Sequence, residues 1–243
     1  MFIEFAFAQS VHRIATIDWS FGARKPRKHP IPVPAPAPVY GLTPGQRSMK
    51  RALDVTLTLL ALALALPIMA LVALAIKLDS PGPVLFKQRR VGEGGKLFYV
   101  YKFRSMVVNA EALQASVNVV DASGQVIHKQ KHDPRVTRVG RIIRKTSLDE
   151  LPQLFNVLEG SMSLVGPRPE LPWLVEQYQP WQRKRFAVPQ GITGWWQVNG
   201  RSEKPCHLAT DEDLWYIEHY SIWLDLLILV KTIPALLTGK GAF

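Results

Sequence analysis

The chain has 243 residues, room for one globular domain plus appendages. Lys and Arg number 30 against 19 Asp and Glu, a formal net charge of +11, so the expected partners are anionic: nucleic acid, acidic lipid headgroups or phosphorylated substrates. A single cysteine, Cys206, excludes an intrachain disulfide framework and any Cys/His zinc spacing, which leaves chemistry on a reducing side or outside redox altogether.

Met1 to Ala8 is only briefly apolar, contains Glu4 and lacks a basic flank, so no cleavable signal peptide is expected there. From Lys25 to Pro44 the chain is basic and then dense in proline (Pro26, Pro30, Pro32, Pro34, Pro36, Pro38, Pro44), which favours extended polyproline II and opposes a packed core. Residues 1–46 therefore read as a disordered basic tether, with a ligand for a proline-binding partner as the alternative.

Val55 to Ile76 follows, 22 residues without a charge and close to the ~20 that a helical membrane span requires. Leu and Ala surround every face, which favours a membrane over burial as a soluble core helix. Basic residues flank both ends: Arg47, Lys50 and Arg51 before, Lys77, Lys87, Arg89 and Arg90 after. Under the positive-inside rule both ends face the cytoplasm. Pro67, near the middle, removes a backbone hydrogen bond and predicts a kink. A bent re-entrant helix over residues 47–79 satisfies both observations, and a straight span with a tolerated proline is the competing topology.

Beyond Ser80 to Pro83, Val84 to Phe86 and Leu97 to Phe103 read as two strands of a hairpin turned at Gly92-Glu93-Gly94-Gly95. The glycine spacing there is not that of a phosphate loop. Glu111 to His132 is polar, with a loop around Ser123-Gly124. From Arg135 to Lys145 the period turns helical, with Arg135, Arg138, Arg141 and Arg144 on one side and Val136, Val139, Ile142 and Ile143 on the other. That pattern fits either a solvated basic face over a core stripe, or a helix at headgroup level that also lends an arginine to substrate phosphate.

The densest chemistry lies at Thr146-Ser147-Leu148-Asp149-Glu150-Leu151-Pro152-Gln153-Leu154-Phe155-Asn156-Val157-Leu158. Helical spacing gathers Leu148, Leu151, Leu154, Phe155 and Leu158 on one face and Asp149, Gln153 and Asn156 on another. Ser147 and Glu150 alternatively fit a capping box, with Asp149 a favourable charge at the helix dipole. Gly166-Pro167-Arg168-Pro169 holds an arginine between two prolines, a preset guanidinium for a diphosphate or an ordinary loop. Gly191-Ile192-Thr193-Gly194-Trp195-Trp196-Gln197-Val198-Asn199-Gly200-Arg201 offers aromatic faces and Arg201 to a base, a sugar or an interface. Trp223 to Val230 is apolar apart from Asp225, and Lys231 and Pro234 are expected to end it short of a span. It reads as an interfacial helix, with Trp215, Tyr216, Tyr220 and Trp223 near the headgroup boundary.

Taken together, Tyr101-Lys102-Phe103-Arg104-Ser105-Met106, Ser147 to Val157, Met162 to Pro169 and Gly191 to Arg201 resemble the bacterial sugar transferase family of monotopic polyprenyl-phosphate sugar-1-phosphate transferases, in order from about Lys50 to the C-terminus. The resemblance implies a catalytic dyad at Asp149 and Glu150, a re-entrant helix broken near Pro67 and a Mg2+ ion held by Asp149 or Glu150. Leu66 precedes Pro67 where relatives often carry serine. Larger members add N-terminal spanning helices and a further domain, so the chain is expected to be a minimal catalytic form. Its C-terminal run from Trp215 to Asp225 is similar to members that prime exopolysaccharide or O-antigen units.

The implied fold is a mostly helical α/β arrangement: the re-entrant helix, then residues 80–243 as a small cytoplasmic catalytic domain with a short β-hairpin and amphipathic interfacial helices. The implied reaction moves a sugar 1-phosphate from a UDP-sugar to undecaprenyl phosphate through a covalent aspartyl intermediate at the bacterial inner membrane. Lys102, Arg144, Arg168 and Arg201 are the candidate phosphate contacts, with Gln153 and Asn156 beside the dyad. The partners expected are a nucleotide sugar, polyprenyl phosphate and membrane lipids, not nucleic acid, with a homo-oligomer left open. A basic membrane adaptor without an acidic dyad, and a glycosyltransferase that releases nucleoside diphosphate, are the competing functions.

Overall fold

The computed structural model describes residues 41–110, 112–113, 119–120, 126–127, 133–199 and 209–238. Most of the basic, proline-rich start, the loop around Ser123-Gly124, and Arg201 lie outside the described residues. The described residues fall into two compact units, one within 109–135 and one formed by 41–108 with those from 136 onward, and the candidate site belongs wholly to the latter.

Helix α1 runs from Pro44 to Asp79, longer than the uncharged stretch that marks it in the sequence. Its start is encoded locally. Thr43 and Gln46 form a reciprocal capping box, and Pro44 stands at a first-turn position where its missing N–H costs nothing, so the final residues assigned to the tether are helix. At 36 residues α1 is about 54 Å long, well beyond the ~30 Å of a hydrocarbon core. The helix continues through Pro67.

The two faces of α1 differ sharply. Lys50, Asp54, Thr58, Leu62, Ala65, Met69, Val72 and Ile76, spaced by three and four, form a buried stripe along the whole helix. Opposite it, Leu60, Leu64, Leu71, Leu74 and Leu78 stand exposed, Leu64 at 78% and Leu78 at 80%. A continuous apolar face of this extent is not stable against water.

Both ends of α1 are tied to the same unit. Near its start, Lys50 pairs with Asp225 at 2.7 Å, Arg51 donates to the Val157 and Leu158 carbonyls, and Asp54 accepts from the Ser163 hydroxyl and the Leu164 amide, both at 3.0 Å. At its end, Asp79 accepts from the Val139 amide at 3.1 Å, and Arg104 donates to the Ser80 and Pro81 carbonyls.

Strands β1 (Leu85–Val91) and β2 (Leu97–Phe103) pair antiparallel in the register Leu85↔Phe103 to Val91↔Leu97, around the expected glycine turn. The first strand is longer than its apolar residues suggest, because Lys87, Gln88, Arg89 and Arg90 continue the ladder. In the smaller unit β3 (Val119–Val120) and β4 (Val126–Ile127) form a two-residue pairing, and Arg135 is buried against Asp133 at 2.6 Å. Arg135 therefore leaves the basic helical face assigned to it, and α2 spans Arg138–Lys145 behind a Thr137 cap.

A 3-10 turn at Leu148–Glu150, helix α3 (Gln153–Glu159), strand β5 (Ser163–Val165), the short helix α4 (Pro172–Glu176), a 3-10 segment Gln182–Ala187 and strand β6 (Gly191–Thr193) follow, with β5 and β6 parallel. Helices α5 (Trp195–Asn199), α6 (Thr210–Glu218) and α7 (Ile222–Thr238) complete the unit. One core joins Ile76 of α1 to Val100, Val157, Val165, Val188 and Ile228.

Helix α7 corrects the expectation that Lys231 and Pro234 end it, for both lie inside it. Trp223, Val230 and Ile233 are exposed on one side while Asp225 and Ile228 are buried on the other. Tyr216 is likewise not at a surface boundary: it is buried and donates its hydroxyl to Asp225 at 2.7 Å.

Gly140 in α2 is where that helix crosses the exit of β2, and a Cβ there would stand 2.0 Å from the Ser105 carbonyl oxygen. Gly140→Ala should cost about 1–3 kcal/mol through forced displacement of backbone, a drop of several degrees in the thermal midpoint in detergent. Gly45→Ala, in open space in the first turn of α1, is the control and should be neutral. Equal midpoints for the two variants would contradict the close crossing.

Candidate active site

The site is assembled where α2 ends. Ser147 adopts a left-handed conformation (φ +56°), which turns the chain sharply into the 3-10 turn, and Pro152 separates that turn from α3. The single helix expected across this segment is therefore two elements. Ser147 makes no side-chain cap, so the capping box does not form.

Glu150 points elsewhere. Its carboxylate accepts from Lys102 Nζ, near the end of β2, at 3.0 Å. Arg168, in the loop after β5, donates from its two terminal nitrogens to the two Glu150 oxygens, at 2.5 and 3.3 Å. Elements 48 and 18 residues away in sequence thus meet on one carboxylate. Burial pushes the Glu150 carboxyl up, but Arg168 and then Lys102 outweigh it and hold the group well below the usual carboxylate range. Burial lowers the Lys102 ammonium, and Glu150 is the main force opposing that.

Asp149 is in the opposite state. Among the described residues its half-buried carboxylate makes no hydrogen bond. Burial raises its pKa, Lys102 opposes, Glu150 reinforces, and Arg144 in the last turn of α2 pulls it back down. Two adjacent carboxylates have been driven apart, one neutralised by cations and one held in reserve.

The other expected contacts fare differently. The Asn156 amide accepts from the Tyr101 amide at 2.9 Å and donates to the Tyr99 carbonyl and the Ser161 hydroxyl, so it splices α3 to the edge of β2 rather than facing a ligand. Gln153 is buried in the first turn of α3, and its amide nitrogen lacks a partner among the described residues. The face that was to bring Asp149, Gln153 and Asn156 together does not exist, because Pro152 interrupts it. The two glycines around Ile192-Thr193 serve packing: a Cβ on Gly191 would meet Gly166 N at 2.1 Å. Trp195 stacks on Trp215 at 4.3 Å between centroids, with Lys231 over its ring, away from the dyad's contacts.

Sequence reasoning missed the charges behind the Arg168 loop. Arg185 is fully buried, pairs with Asp213 of α6 at 2.6 Å, and donates to the Tyr178 hydroxyl (2.9 Å) and the Arg168 carbonyl (3.2 Å). In the sequence Arg185 sits in Gln182-Arg183-Lys184-Arg185 and Asp213 in Asp211-Glu212-Asp213, charge runs that read as solvated surface. No local signal distinguishes the buried member of each run.

As for a metal, no group of three His, Cys, Asp or Glu side chains is gathered among the described residues. Both Glu150 oxygens are engaged, which leaves Asp149 as the carboxylate with coordination capacity. That donor set fits a Mg2+ ion that takes one protein carboxylate and fills its shell from water and phosphate oxygens, the usual arrangement for this ion with phosphorylated substrates.

A long apolar helix joined to a small, mostly helical domain that carries a split carboxylate pair and a cationic clamp is consistent with a membrane-associated transferase. The chain belongs to the bacterial sugar transferase family, whose pattern matches residues 45–239. It is 43% identical over 200 residues, 80% of the chain and 45% of the relative, to the UDP-N-acetylgalactosamine-undecaprenyl-phosphate N-acetylgalactosaminephosphotransferase of Aeromonas hydrophila. It is 46% identical over 166 residues, 67% of the chain and 35% of the relative, to the undecaprenyl-phosphate galactose phosphotransferase of Salmonella typhimurium. Over 205 residues, 81% of the chain and 42% of the relative, it is 40% identical to the UDP-glucose:undecaprenyl-phosphate glucose-1-phosphate transferase of Escherichia coli. The chain spans less than half the length of these curated relatives.

The buried Asp213 supplies a test of this electrostatic picture. Its carboxyl is raised to about 6, because burial outweighs the Arg185 charge beside it. An acid with a higher pKa folded than unfolded binds more protons in the folded state, so its contribution is present at low pH and lost as pH rises. The window runs from the ordinary 3.8 to about 6, equivalent to about 3 kcal/mol. The wild type should therefore lose about that much stability relative to Asp213→Asn between about pH 4 and about pH 6.5, read from paired thermal midpoints in detergent. A gap that moves the other way would refute the raised pKa.

Proposed function

We propose that the chain transfers a sugar 1-phosphate from a nucleotide diphosphate sugar, a UDP-hexose, to undecaprenyl phosphate, as the first membrane step of exopolysaccharide, capsule or O-antigen assembly. The observation that carries this reading is the division of labour within the dyad: Glu150 is locked between Lys102 and Arg168, and Asp149 beside it keeps an uncommitted carboxylate. The curated relatives, whose names specify UDP-sugar and undecaprenyl-phosphate phosphotransferases, support the substrate class. They differ in sugar among N-acetylgalactosamine, galactose and glucose, so the family leaves the hexose open.

In the proposed reaction an Asp149 oxygen attacks the phosphorus that bears the sugar. The Oδ–P bond forms, the anhydride P–O bond breaks, and uridine monophosphate leaves with the bonding pair. A phosphate oxygen of the carrier then attacks the same phosphorus and displaces the Asp149 carboxylate, giving polyprenyl diphosphate sugar. This is covalent catalysis by a carboxylate. The acyl phosphate is comparable in transfer potential to the anhydrides broken and made, so no further energy source enters. Burial, which raises the Asp149 pKa, also makes its ionised form a stronger nucleophile. Mg2+, when bound at Asp149, would offset charge on the two approaching anions. Lys102 and Arg168 hold Glu150 ionised and present donors toward the phosphoryl group, and Arg144 adds charge from the end of α2.

The same reading places α1 in the bacterial cytoplasmic membrane as a re-entrant helix with the rest of the domain in the cytoplasm. Three features support it. Basic residues flank both ends, residues at both ends bond to one unit, and the exposed leucine face needs a lipid environment. Pro67 lacks the N–H that would bind the Ala63 carbonyl, which makes the helix easiest to bend there.

Asp149→Asn should abolish turnover, by ~10⁴-fold or more, while leaving insertion and thermal midpoint intact, since the amide is nearly isosteric and cannot attack. The assay is release of labelled uridine monophosphate from UDP-sugars in membranes supplied with undecaprenyl phosphate. Activity within tenfold of wild type would remove Asp149 from the reaction, and release of uridine diphosphate instead would point to direct glycosyl transfer.

Topology has its own test. Single cysteines at Gly45 and Lys96, in a background lacking Cys206, should both resist an impermeant thiol reagent in intact cells and react once cells are opened. Labelling of only one of the pair in intact cells would establish a straight crossing.

A further inference from the structure

The loop Gly166-Pro167-Arg168-Pro169-Glu170 carries the guanidinium that grips Glu150, and the two prolines have no N–H. The loop is oriented largely through donors to its carbonyls. Pro167 O accepts from the Gly191 amide at 2.9 Å, Pro169 O from Arg90 at 3.3 Å and Glu170 O from the Val91 amide at 2.9 Å. The carbonyl of Arg168 itself is met by a side chain, the terminal nitrogen of Arg185 at 3.2 Å. Arg185 is taken entirely out of water, a costly placement for a guanidinium without charged and polar partners on its terminal nitrogens. Asp213 of α6 meets it at 2.6 Å, and the Tyr178 hydroxyl accepts at 2.9 Å on the other fork. Tyr178 lies 3.5 Å from Glu170 in turn, so the same hydroxyl ties the far side of the loop.

We propose that Arg185 is a positioning residue for the transfer: anchored by Asp213, it fixes the Arg168 peptide so that the Arg168 guanidinium holds Glu150 beside the reacting carboxylate. This deepens the functional reading above and rests on its assignment of Arg168. A planar fork can meet a carboxylate, a hydroxyl and a carbonyl at once in one geometry, whereas the single ammonium of lysine is shorter and sets no plane. Nothing in the arrangement brings Arg185 itself to the dyad, so its effect must pass through Arg168.

That dependence makes the proposal testable by a double-mutant cycle on the full chain, with kcat per folded enzyme measured in detergent or nanodiscs. Arg185→Lys should lower kcat about ten- to hundredfold in the otherwise wild-type protein, the scale expected when a reacting group is misplaced by about an ångström. In an Arg168→Ala background the same change should cost less than about twofold, because the residue it positions is gone. An equal loss in both backgrounds, or no loss in the first, overturns the proposal, since a merely structural role would not depend on Arg168. If Arg185→Lys does not fold, Asp213→Asn, which weakens the anchor and keeps the shape, is put through the same cycle and judged by the same criterion. Full activity of Arg168→Ala alone would overturn both this proposal and the role given to Arg168. The cycle failing while Arg168→Ala is impaired overturns the positioning role only.

Discussion

Glu150 is the residue on which the site depends. A carboxylate with one oxygen shared by Lys102 and Arg168, and the other facing the same guanidinium, draws together a strand, a 3-10 turn and a proline-bounded loop. Burial alone would have raised its pKa, and the two cations reverse that, so it stays ionised and acts as a fixed negative centre. The consequence falls on its neighbour. Asp149 is also largely buried but makes no hydrogen bond among the described residues, so it keeps its lone pairs and a raised pKa. Removing either cation would leave a buried charge under-compensated, which is far costlier than the net worth of the pair.

Helix α1 solves a related problem at larger scale. Its exposed leucines suit lipid, yet its buried stripe begins with Lys50, Asp54 and Thr58 and turns apolar only from Leu62. Its two charges are matched, Lys50 to Asp225 and Asp54 to Ser163 and Leu164, while the buried Thr58 hydroxyl finds no partner among the described residues. Such specific pairs resist sliding, because a shift of one turn would leave charges buried and alone. The helix is thereby keyed in depth against β5 and α7, and β5 leads directly into the Arg168 loop. Its placement and the geometry of the site are therefore set by overlapping contacts.

Legibility in the sequence followed the range of the interactions. The hairpin could be read because turn and alternation are local, and so could the long apolar helix. The segment Ser147 to Leu158 departs from its helical pattern because local rules offer a capping box, whereas Glu150 finds its partners 48 and 18 residues away. Asn156 has the residue type of a ligand contact and is used as a splice to β2. Tyr216 has the residue type of a headgroup anchor and is held inside by Asp225. Motif resemblance singled out Asp149, Glu150, Lys102 and Arg168, which the fold brings together, because it carries long-range information that periodicity lacks. It did not extend to Arg185 and Asp213, each indistinguishable in one dimension from its charged neighbours.

The charge of the site itself argues for what must join it. Lys102, Arg144 and Arg168 set three positive charges against the two of Asp149 and Glu150, and two of those cations are already bound to Glu150. On the proposed reading, a nucleotide diphosphate sugar and a polyprenyl phosphate each bring further negative charge to the same phosphorus. At contact distances like charges repel by several kcal/mol even at an effective dielectric of about 20. Among the described residues, the cations that act on Asp149 leave little excess to hold both anions beside its ionised form. On the proposed reading the shortfall is met by a divalent ion at the one carboxylate that the Glu150 clamp leaves uncommitted, which gives a physical reason for separating the two acids: one organises the protein's cations, and the other remains able to take both the metal and the phosphoryl group.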